Sequence, residues 1–174
     1  MSAATLLRRR LSPTNRPVVG CLPNHTHAMD ISPYKKLDHA VPTWVADDAV
    51  FFITICCTTR GRNSLTEPII AEASFDGMKV YQEQRNWWVH FALLMPDHLH
   101  MLVSFSAQVI MEKVVADWKQ YQARFLNIDW QRDFYDHRIR SEEQFVEKYE
   151  YIRMNPVRKG LVATPEDWQY VWHG

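Results

Sequence analysis

The chain has 174 residues, 47% hydrophobic and 13% aromatic with seven Trp, which is enough for one domain with its own core and excludes disorder over most of its length. Twenty basic residues cancel twenty acidic ones, so net charge by itself gives no pull toward nucleic acid. No apolar run approaches the ~20 residues needed to cross a bilayer, and Arg8, Arg9 and Arg10 are not followed by the apolar segment of a secretory signal.

Residues 1–40 hold Pro13, Pro17, Pro23 and Pro33 among Ser, Thr, Asn and His, without apolar periodicity. They are expected to form a disordered N-terminal tail, with the folded domain over residues 41–174, and Met29 is an alternative start to Met1. His25 and His27 lie in this loop-like stretch and are not expected to bind a metal. Val50–Cys57 (VFFITICC) is β-branched, aromatic and short, which predicts a buried strand, followed by a polar turn around Gly61. A helix is expected from an N-cap at Thr66 toward Arg85, weakened in its middle by Gly77. Trp87–Met95 and His98–Phe105 predict two strands that pair as a hairpin across Pro96-Asp97.

Met111, Val114, Trp118, Tyr121 and Phe125 recur at steps of three and four, predicting an amphipathic helix over 107–126 whose aromatic stripe is core. A short strand is expected over 134–139. Ser141, with Glu142 and Glu143 behind it, should cap a last helix that Pro156 terminates after Asn155. This order predicts an α+β sandwich, an antiparallel sheet with helices packed mainly on one side. Cys21, Cys56 and Cys57 fit neither a disulfide framework nor a CxxC metal site, so reduced thiols and a cytoplasmic protein are expected.

Chemistry concentrates in two places. Side chains alternate on a strand, so His98 and His100 project from one face about 7 Å apart while Leu99 and Met101 take the other. Two imidazoles on one face suit a transition or borderline metal with positions left open for substrate oxygens. An isolated His-x-His pair is nonetheless more often two half-buried, hydrogen-bonded histidines. On the last helix Tyr151 and Asn155 are four residues apart and share a face, extended one turn earlier by Glu147. Tyr149 lies about 160° around the helix from Tyr151, so the two cannot face one site. A phenol is a poor nucleophile at neutral pH unless a base, a metal-oriented phosphate or a polar setting favours its anion. Asn155 is placed to complete a metal shell. Tyr151 taken alone is more often a core aromatic.

Three linked segments change the balance: Leu94–Val103 (LMPDHLHMLV), Trp130–Arg140 (WQRDFYDHRIR) and Tyr151–Val162 (YIRMNPVRKGLV). Together, across Pro42 to Trp172 and in the same order, they resemble the REP-associated tyrosine transposases, relatives of the insertion-sequence single-tyrosine transposases. The resemblance implies a ferredoxin-like, RRM-like HUH fold and a bound divalent cation, Mg²⁺ or Mn²⁺. It also implies transient cleavage of single-stranded DNA through a 5′-phosphotyrosine, at imperfect hairpins of the REP type. On it His98 and His100 match the HUH pair and Tyr151 the nucleophile. Asn155 stands where insertion-sequence relatives carry a longer Gln ligand. Arg138, Arg140, Lys119, Arg153, Arg158 and Lys159 are the cations expected to meet DNA, and His137 a structural or DNA contact. Either a monomer or a homodimer is compatible with it. Two other functions remain open: a hairpin-binding protein that no longer cuts, and a small metallohydrolase using water. The transposase reading requires Tyr151 to fold back across the sheet to within about 10 Å of the histidines.

Overall fold

In the computed structural model, residues 49–174 are described. The expected tail, His25, His27, Cys21 and the choice between Met1 and Met29 lie outside the described residues. The elements are β1 (Val50–Cys56), α1 (Pro68–Glu83), β2 (Trp87–Met95), β3 (His98–Phe105), α2 (Met111–Leu126), β4 (Tyr135–Arg138), α3 (Glu142–Arg153), α4 (Asn155–Arg158), a 3-10 turn at Pro165–Asp167 and β5 (Val171–His173). All strand pairings are antiparallel, in the order β4-β1-β3-β2-β5. This is the α+β sheet that the pattern predicts.

The two faces of the sheet carry separate cores. Ile53, Ile55, Leu99, Met101 and Val103 pack with Met78 of α1 and Val115 and Trp118 of α2. Phe52, Phe91, Leu93, Met95 and Leu102 pack on the opposite face with Ile152 of α3 and Trp168. Two long helices thus share one face, as expected, and α3 crosses the other. The C-terminal segment is tied down by Trp168, whose indole N–H donates to the Leu94 carbonyl at 2.9 Å. It ends in β5 against β2, a strand of three residues that is too short to show a period.

Several local expectations need correction. Thr66 does not cap α1: its N–H and hydroxyl both donate to Asn63 Oδ1, and Glu67 stands at the cap position without a side-chain bond to the helix amides. The stripe on α2 is core only through Met111, Val114 and Trp118; Tyr121 and Phe125 are exposed and pack on each other. The buried face turns instead onto Gln122, where α1 and α2 cross closely at Gly77, and onto Lys119, which reaches the segment before β4. Ser141 does cap α3, accepting from the Gln144 N–H. That helix, however, stops at Arg153, one turn before Pro156, and α4 restarts at Asn155. Proline lacks an amide hydrogen and suits a first turn, so it sits inside the start of α4.

Candidate active site

The central strand β3 places His98 and His100 on the α3 face, and Leu99 and Met101 fall in the opposite core. The two imidazoles lean together, with ring centroids 4.7 Å apart at 83°, nearer than their spacing along the strand suggests. Their Nδ1 atoms are both engaged. His98 Nδ1 lies 2.6 Å from Asp97 Oδ1 and His100 Nδ1 lies 2.8 Å from Thr54 Oγ1. A carboxylate can only accept, so His98 carries its proton on Nδ1 and keeps a lone pair on Nε2 that could bind a cation; a proton donated to Thr54 would do the same for His100. Asp97 is itself fixed, accepting from the Gly61 N–H at 2.6 Å and pairing with Arg60 Nε at 3.3 Å. Burial acts to raise its pKa, but the Gly61 N–H, His98 and Arg60 together hold it below its ordinary value.

Burial is also the main reason that both histidines resist protonation. His98 is lowered and His100 falls to about 3, with the charges of Arg158 and Arg60 adding to the effect on His100. Both rings are therefore neutral at pH 7, the state that ligates a metal. Among the described residues no group of three His, Cys, Asp or Glu side chains converges to hold an ion. The donor set fits a divalent cation that takes two imidazole nitrogens and fills its remaining positions with amide, water or phosphate oxygens. Cys56 and Cys57 are both thiols, and burial pushes Cys57 up to about 12, which suits neither to ligation at neutral pH.

From α3, Tyr151 reaches this cluster across the sheet. Its ring centroid is 5.9 Å from that of His100 and 6.0 Å from that of Phe52, well within the limit that the geometry requires. Phe52 stacks on His100 at 5.6 Å. Tyr149 turns the other way onto Phe91 at 4.6 Å, as helix geometry predicts. Arg158 fixes the nucleophile candidate twice: its Nη2 donates to the Tyr151 carbonyl at 2.5 Å and its guanidinium lies 4.4 Å from the ring centroid. Asn155 is buried just beyond the break at Met154.

The cations expected on DNA separate into groups. Arg158 and Lys159 act electrostatically on the histidine pair, as does Arg60, which sequence reading passed over. Arg140 is exposed beyond β4. Arg153 is ion-paired with Glu150 and Glu166. Arg138 pairs in register with Phe51, placing it on the α1–α2 side of the sheet. Lys119 is a correction: it is buried, and its Nζ donates to the carbonyls of Gln131 and Arg132 at 2.7 Å each, tying the segment before β4 to α2.

The central strand of the α+β sheet thus presents paired histidines to a tyrosine from a crossing helix. The sequence profile described as "Transposase IS200 like" matches residues 51–159, which include all of these positions, and the chain belongs to that family. A protein of Haemophilus influenzae provisionally named a REP-associated tyrosine transposase is 27% identical over 139 residues, covering 70% of this chain and 77% of its own. The Escherichia coli REP-associated tyrosine transposase is 27% identical over 90 residues, covering 49% of this chain and 51% of its own. A solved REP-associated tyrosine transposase bound to a REP hairpin superposes with a TM-score of 0.65 at 20% identity, over 81% of this chain and 82% of that one. The fold is therefore the one implied by the sequence resemblance.

Among the described residues no helix is long and apolar enough to cross a membrane.

Proposed function

We propose that this chain cleaves and rejoins single-stranded DNA next to a REP-type hairpin, with Tyr151 as nucleophile. The observation that carries this reading is the approach of the Tyr151 ring to His100, 5.9 Å between centroids, from a helix on the far side of a long connection. The Tyr151 oxygen attacks phosphorus and the bond to the 3′-oxygen breaks. That oxygen leaves as a 3′-hydroxyl, taking up the proton that the phenol gives up. The chain is left as a 5′-phosphotyrosine, and attack by another 3′-hydroxyl reverses the step. His98 and His100, with Asn155 as a third ligand, would hold a divalent cation, Mg²⁺ or Mn²⁺, which would polarise the phosphate as a Lewis acid. Arg60, Arg158 and Lys159 bring the positive charge that a phosphate needs, which a net charge of zero hides. Arg140 takes a flanking phosphate.

The test is purified protein with a labelled hairpin oligonucleotide carrying single-stranded flanks, in Mg²⁺ or Mn²⁺. A denaturation-resistant protein–DNA adduct is expected, and Tyr151→Phe should abolish it. Tight hairpin binding with no adduct in either cation would identify a binder that no longer cuts. Turnover that survives in Tyr151→Phe without a covalent species would identify a hydrolase using water.

A further inference from the structure

We propose that the ring of Tyr135 is a stacking platform for an unpaired nucleobase flanking the scissile phosphate; this rests on the strand-transfer reading above. Tyr135 opens β4, the edge strand beside β1. The register places it opposite Thr54, which is in turn opposite His100. Cross-strand partners point to the same face, so Tyr135, Thr54 and His100 form one row that ends on the histidine pair.

Among the described residues, the ring contact that braces Tyr135 comes from Phe52. Phe52, itself 7% exposed, meets Tyr135 edge-on at 6.1 Å, Tyr151 edge-on at 6.0 Å and His100 in a stack at 5.6 Å. Two tyrosines thus lean on one buried ring, with Tyr135 50% and Tyr151 44% exposed. On the strand-transfer reading, Tyr151 attacks the phosphate. The other presents a fixed, half-open aromatic surface within the reach of the adjoining nucleotide. Single-stranded DNA has unpaired bases whose faces seek such a surface, and base–aromatic stacking tolerates any base. His137 is exposed two residues further along the same face of β4, so the edge continues as a track for the strand rather than closing over the ring.

The experiment uses the full chain carrying Tyr151→Phe, in chelator, so that binding is read without cleavage. The hairpin oligonucleotide carries 2-aminopurine at successive positions of its single-stranded flank. One position should be quenched on binding, with the quench kept in Tyr135→Phe and Tyr135→Trp. It should be lost in Tyr135→Leu, with affinity falling about tenfold or more, the effect of losing one stacked base. Thermal unfolding of each variant separates loss of the ring from loss of the fold. An unchanged quench in a folded Tyr135→Leu would overturn the platform, as would equal losses in Tyr135→Phe and Tyr135→Leu. If the unsubstituted chain forms the adduct and the quench ignores Tyr135, only the platform fails. If the quench depends on Tyr135 but no adduct ever forms, only the strand-transfer reading fails.

Discussion

Asp97 touches three neighbours with two oxygens: His98 on Oδ1, and Gly61 and Arg60 on Oδ2. Its negative charge makes the His98 ring a better ligand and fixes which nitrogen faces the ion. Asp97→Asn keeps the shape and removes the charge, so cation affinity should fall by about 10- to 100-fold while hairpin binding in chelator is unchanged. Titrating Mn²⁺ into the adduct assay reads the first quantity and a binding assay reads the second; an unaltered Mn²⁺ midpoint would refute the role. His98, His100 and Tyr151 were legible in the sequence because strand alternation and linked motifs mark them. Thr54 was not, because its bond to His100 spans 46 residues and nothing local in VFFITIC singles it out. Arg60 was missed for the same reason, its partner lying 37 residues on. Asp97 did leave a signal, a carboxylate directly before the first histidine, but it read as a turn residue.

At the level of elements, the hairpin of β2 and β3 has the limits the sequence predicts, since both strands are long, apolar and separated by a proline turn. Helix packing was less legible. Periodicity shows that α2 has a buried stripe, but not how far along it the partner helix reaches, and Lys119 and Gln122 look like surface residues until their partners are seen. Gly77, read as a weak point of α1, is where α1 meets α2. A Cβ there would stand 2.7 Å from Gln122 Nε2 and 3.5 Å from Trp118 Nε1. Gln122 is fully buried with its Oε1 accepting from Ser74, so moving its amide out of the way disturbs that bond and the packing around it. The overpacking cost of about 1–3 kcal/mol is offset by the ~1 kcal/mol gain in helix propensity, so Gly77→Ala should destabilise by up to about 2 kcal/mol net. Adding Gln122→Ala removes the obstructing amide, so the two changes together should cost less than their separate effects added. Urea unfolding of the four proteins measures this coupling, and strict additivity would show that the crossing is looser than described.

Across the whole molecule, burying histidines against the sheet has a consequence for stability against pH. His90, His98 and His100 are all lowered, each chiefly by burial. Their folded forms thus stay neutral where the unfolded chain takes up protons. With His100 near 3 when folded and near 6.5 when unfolded, its contribution is fully present above about pH 6.5. It is lost progressively as pH falls from there toward 3, because the unfolded state binds the extra proton. Between pH 7.5 and pH 5 this one residue should remove about 2 kcal/mol, and His98 and His90 act in the same direction. Asp97, also lowered, contributes stability that is present above its unfolded pKa of roughly 3.9 and goes only in stronger acid. The acid response should therefore begin with histidines and end with the carboxylate. Unfolding by urea, followed by the fluorescence of the Trp residues in chelator, gives the free energy at each pH; the chelator matters because metal bound to neutral imidazoles adds a pH dependence of its own. His100→Gln cannot be protonated in this range and should flatten the slope between pH 7.5 and pH 5, whatever it does to the absolute stability. A stability that is level over that interval in the unsubstituted chain would mean that the histidines are more solvated than their burial indicates.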